Sequence, residues 1–169
     1  MTIYFADGTN QATAGGGKIL QVKAGTKTGA SSYSPGENWV DIGLDESITP
    51  SNSGHKILIQ YYIGKISTND WSGATRLVRG STNIARGSSA SSRQRISTSF
   101  PRSHDDNHWG GTSMMWLDSP STTSSVTYKV QVQATSAGIL YINRGHGDSN
   151  NDDIAYGRSA SAIILMEVD

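Results

Sequence analysis

The stretch that most limits what this chain can fold into is 126–133, where Val126, Tyr128, Val130 and Val132 alternate with Thr127, Lys129, Gln131 and Gln133. A period of two puts one set on the core face of a strand and the other in water. Pro120 and a Ser/Thr run come before it, and Gly138 permits a reversal into a second apolar run at 139–143. The pattern predicts a hairpin of two half-buried antiparallel strands, with 114–117 leading into it.

The same period recurs along the chain. Leu20 and Val22 alternate with Gln21 and Lys23, and Val40, Ile42, Leu44 and Ile48 share a parity opposite Asp41, Gly43 and Asp45, up to a stop at Pro50. The run 75–85 reads as another hairpin turning at Gly80-Ser81. Two segments are apolar on both faces: 56–66, with Ile57, Ile59, Tyr61 and Ile63 on one side and Leu58, Tyr62 and Ile66 on the other, and the closing run 160–168. A strand of that kind must be covered twice, inside a sandwich or by a neighbouring subunit.

With 19 glycines, 35% hydrophobic and only 17% charged residues, the chain suits many short strands joined by turns. The expected fold is all-β, an antiparallel β-sandwich of jelly-roll-like topology. A length of 169 residues fits one domain. Residues 18–169 are expected to form it. Residues 1–17 read as a flexible docking arm: Ile3, Tyr4 and Phe5 sit on a segment too short to bury them, tethered through Gly15, Gly16 and Gly17.

Net charge is zero, which argues against nucleic acid as a partner. The arginines between 76 and 102 read as a solvated surface. There is no cysteine, so disulfides, thiolate metal sites and cysteine nucleophiles are excluded. The sequence shows neither a basic segment followed by an apolar run near its start nor a stretch of about eighteen apolar residues, so neither a secretory signal nor membrane insertion is expected.

Two polar loops invite a metal reading. His104 and His108 stand at a spacing that pairs ligands on a helix, but Pro101 and Gly110-Gly111 favour a loop. Asp148, Asn150, Asp152 and Asp153 imitate part of a calcium loop without its central glycine or closing glutamate. A polar turn accounts for each, and no metal or other cofactor is expected. Serines and carboxylates such as Asp41, Asp45, Glu46, Asp70 and Asp118 form no recognisable triad or dyad, so no enzyme is expected.

The tryptophans divide into two groups. Trp39 and Trp116 lie in or beside strands and read as core or interface residues, whereas Trp71 and Trp109 sit in polar loops. Aromatic faces beside amides and carboxylates are the chemistry of sugar recognition. Trp71, His104, His108, Trp109 and His146 are therefore the candidate glycan or receptor contacts.

LDSPSTTSSVTYKVQ at 117–131, YINR at 141–144, YGRSAS at 156–161 and a closing strand ending in MEV resemble a domain of tail-fibre and related virion proteins of marine and cyanobacterial bacteriophages. FADGTNQATA at 5–14, WVDIGLDESITPSNSGHKILI at 39–59 and RLVRGSTNI at 76–84 resemble the same family. The resemblance implies a virion structural protein, assembled in the host cytoplasm: a fibre or spike tip, or a short head or tail appendage such as a decoration protein. It further implies a homotrimer that contacts other virion proteins and attaches to a host-surface glycan. The alternative is a carbohydrate-binding module or glycan-degrading enzyme.

Overall fold

The computed structural model describes residues 3–4, 10–11, 18–34, 36–69, 72–101, 110–135 and 138–169, with backbone alone at 3–4, 10–11 and 101. Two short strands, β1 (Ile3–Tyr4) and β2 (Asn10–Gln11), pair with each other and, among the described residues, with no other strand. The body contains β3 (Ile19–Lys27), β4 (Ser31–Tyr33), β5 (Val40–Ile48), β6 (Lys56–Thr68), β7 (Ser72–Arg79), β8 (Thr82–Ile84) and β9 (Thr98–Pro101). β10 (Gly110–Asp118), β11 (Val126–Ala134), β12 (Leu140–Ile142) and β13 (Ser161–Val168) complete it.

These strands form two antiparallel sheets packed face to face, an all-β sandwich. The six-stranded sheet runs β3-β13-β6-β12-β4, with β10 on the other edge of β6; the five-stranded sheet runs β5-β11-β7-β8, with β9 also on β7. The chain crosses between sheets repeatedly, from β4 to β5, β6 and β7 in turn and again from β9 through β10 and β11 to β12. That shuttling corrects one expectation: β11 and β12 are not a hairpin, and β10 does not lead into one. β11 pairs with β5 and β7, while β12 pairs with β6 and β4, so the chain changes sheets between them. The 75–85 hairpin does form, as β7 and β8, with Gly80 at φ +57° in its turn.

The core is built from the alternating positions. Ile42, Leu44, Ile48, Ile57, Ile59, Tyr61, Ile63, Tyr128, Val130, Val132, Ile163 and Leu165 are buried, while Val40 and Val126 are half-buried at its margin. β13 lies between β3 and β6, as expected of a terminal strand with no polar face. β3 departs from expectation because its apolar set faces away from the core: Gln21 turns inward to bond Glu167, and Leu20 and Val22 are exposed.

Polar contacts then lock the sheets together. A chain of hydroxyls runs Tyr61–Thr75–Thr98–Thr112 at 2.6, 2.7 and 2.7 Å, from β6 through β7 and β9 to β10. The Tyr128 hydroxyl donates to Asp118 at 2.8 Å, and Arg79 closes on the same carboxylate at 2.9 Å. Asp118 is buried, and a buried carboxylate is tolerable only with such partners. Burial and the neighbouring carboxylate both push the Tyr128 hydroxyl pKa up, so it stays a donor.

Candidate functional site

The two sheets differ in the faces they turn outward. Across the six-stranded sheet the register aligns Val22, Met166, Leu58 and Leu117 in one row on β3, β13, β6 and β10. The next row is Ala24, Ile164, Gln60 and Met115, and the third is Thr26, Ala162, Tyr62 and Ser113. This face lies behind the buried Ile57–Ile59–Tyr61–Ile63 set. Met115 is 58% exposed, Val22 55%, Tyr62 50% and Leu117 48%, with Ile19 and Leu20 continuing the patch at one end. Exposed to that extent, these side chains offer on the order of 600 Å², at the upper limit for an ordinary monomer patch and close to the ~800 Å² each partner gives to a standard interface. On strand 56–66 the Ile57–Ile63 set is covered by this chain's own core, while Leu58 is half-buried and Gln60 and Tyr62 are exposed behind it; Ile66, expected on that second face, is instead fully buried in the core, past the register shift opposite Gly110–Thr112. β10 also pairs with β6 alone among the described residues, leaving a nine-residue strand edge beside the patch.

The outer face of the five-stranded sheet is polar. Lys129 Nζ and Gln131 Nε2 donate to the two oxygens of Asp41 at 2.9 and 2.6 Å, and Arg76 Nε donates to Gln131 Oε1 at 2.6 Å. The Arg76 guanidinium lies 4.6 Å from the ring centre of Trp39, which is half-buried. Burial alone would raise the Asp41 carboxyl pKa; the bonds from Lys129 and Gln131 outweigh it and hold it below the usual range. Beside this network, under the turn at Glu37 and the loop at Gln94, is a cavity of about 400 Å³. Ser72, Ser99 and Gln133 line it together with Ala74 and Ile96.

Of the residues picked out from sequence, Trp71, His104, His108, Trp109 and Phe5 lie outside the described residues, and Ile3 and Tyr4 are described only as backbone in β1. His146 follows β12, its ring 5.2 Å from that of Tyr141, and Arg144 stacks over the same tyrosine at 4.8 Å. The Asp-rich loop is engaged internally: Asp148 takes Arg144 at 2.6 Å and Arg158 at 2.5 Å, while Asp153 caps a short 3-10 turn at Ile154–Tyr156. Among the described residues no group of three His, Asp or Glu side chains is placed to hold a metal. Trp116, read as core or interface, is 41% exposed at the sheet edge.

One cluster invites a catalytic reading and fails it on geometry. Glu167 is fully buried and accepts from Gln21 Nε2 at 2.5 Å, Ser51 N and Oγ both at 2.7 Å, and meets His55 Nδ1 at 2.8 Å. Ser51 Oγ also lies 3.3 Å from that same Nδ1, and Nε2 faces Asp169 at 3.7 Å. A nucleophile relay needs hydroxyl and carboxylate on opposite imidazole nitrogens. Here Ser51 Oγ donates to Glu167 and shares the Nδ1 side with it, while the carboxylate on the opposite nitrogen, Asp169, stands beyond hydrogen-bond distance at 3.7 Å; the cluster is a clamp that ties β13 to β3 and to the turn before β6.

The apolar face was anticipated from sequence only through the doubly apolar strand 56–66, and the polar face with its cavity was not anticipated. The cavity draws its walls from four separate segments, and Gln133 reads there as a water-facing strand residue, although its side-chain amide donates to the Glu37 carbonyl and it is buried. No protein-family profile matches the chain, and no curated protein is detectably similar to it.

Proposed function

We propose that this protein is a structural subunit of a bacteriophage particle, a fibre or spike tip or a short head or tail appendage, that assembles as a homotrimer through the outer face of its six-stranded sheet. The observation that carries the reading is the row of Val22, Met166, Leu58 and Leu117 with its neighbours, an apolar surface of interface size on the outside of a folded sandwich. Burying it against further copies removes apolar area from water at ~25 cal/mol per Å², and the open β10 edge lies at its margin. The opposite sheet then faces outward, polar and cross-linked, and presents the attachment surface to a host glycan. The segment 1–17 supplies contact with other virion proteins. The resemblance of 117–131 and 156–168 to phage tail-fibre domains gives the setting.

Immunogold labelling of purified particles tests the setting. The account expects label at a fibre tip or appendage, lost when residues 1–17 are deleted although the truncated protein still folds. Purified particles without label, or truncated protein incorporated normally, would contradict it.

A further inference from the structure

We propose that the cavity between the Glu37 turn and the Gln94 loop is a binding site for a neutral saccharide. The ligand class follows from what lines it. The side chains of Glu37 and Gln94, the hydroxyls of Ser72 and Ser99 and the Oε1 of Gln133 have no hydrogen-bond partner among the described residues, yet all five residues border one cavity of about 400 Å³. A volume of that order is typical of small-ligand sites, ~300–1,000 Å³. Amides and hydroxyls both donate and accept, which matches sugar hydroxyls. Ala74 and Ile96 give it an apolar side, small enough at Ala74 to admit the C–H face of a ring.

Charge narrows the class. Among the described residues no lysine or arginine lines the cavity and Glu37 is its one ionisable wall, which repels anions, so phosphate esters and acidic sugars are poorly matched. The guanidinium of Arg76, on the same sheet face, is held by Gln131 and by the Trp39 ring. Gln133 is preorganised: its Nε2 is committed to the Glu37 carbonyl, which ties the turn to β11 and fixes the amide. The inference rests on the reading of this sheet as the outward face.

The test is ligand-observed saturation-transfer NMR on the full chain with glucose, galactose, mannose and N-acetylglucosamine, with N-acetylneuraminic acid as the acidic control. At least one neutral sugar should give transfer, and the acid none. Ala74→Trp, which fills the cavity from its apolar side, should abolish the signal, and Gln94→Ala, in an exposed loop, should weaken affinity about tenfold with an unchanged thermal midpoint. Absence of transfer from all four neutral sugars, or transfer indifferent to both variants, would overturn the site. The mass in solution is recorded on the same samples: a trimer that ignores sugars sinks the pocket and spares the assembly reading, and a monomer that binds them does the reverse.

Discussion

Glu167 shows how one buried group can set an acid limit on stability. Burial alone would raise its pKa, but the bonds from Gln21, Ser51 and His55 win and hold it at about 2. Its folded pKa is therefore below its unfolded one. The stabilisation is complete above the unfolded value and is lost as pH falls from about 4.5 toward 2. Thermal midpoints measured from pH 7 to pH 2 should drop through that window, and Glu167→Gln should flatten the drop; an unchanged acid limb in the variant would contradict the assignment. Asn143 is a second such residue. It is fully buried at φ +60°, donates from Nδ2 to the Lys27 carbonyl at 2.7 Å and accepts from Ser161 Oγ at 2.6 Å, joining β3, β12 and β13. Asn143→Ala should cost about 2–4 kcal/mol in a denaturant titration, since it strands two buried partners. Neither role was legible in the sequence, because the partners come from more than a hundred residues away in the case of Lys27 and Gln21.

Strands were more legible than their pairings. Alternation named the inward residues of β5 and β11, because which face is apolar is a local property, whereas β6 and β13, apolar on both faces, offered no such choice. Pairing is not local: 126–143 looks like a hairpin for as long as the two runs are assumed to share a sheet, and the chain instead crosses the sandwich between them. β3 misleads for another reason. Its apolar face was assigned to the core by default, but the core position is taken by Gln21 and the apolar set is on the outside. Adjacent residues of β6 give a sharp check on the facing. Ile59→Ala should destabilise by about 2–5 kcal/mol, and Gln60→Ala by no more than about 0.5, in equilibrium unfolding. Equal effects would mean that the two faces are not distinguished as described.

At the scale of the whole molecule the sandwich is two-sided: an apolar sheet face with an open strand edge on one side, a cross-linked polar sheet with a cavity on the other. The sequence anticipated the first through the doubly apolar strand 56–66, which it left to be covered either within the chain or by a neighbour. Only the register shows that β3, β13, β6 and β10 line up their outward apolar residues into one surface. The account stands on that surface being an interface between copies. Its most direct test is sedimentation equilibrium of the full chain at micromolar concentration, beside the double variant Met115→Lys, Leu117→Lys, which charges the patch without touching the core. The prediction is three times the chain mass for the parent and a folded monomer for the variant; a parent that sediments as a monomer, or a variant that stays trimeric, would contradict it.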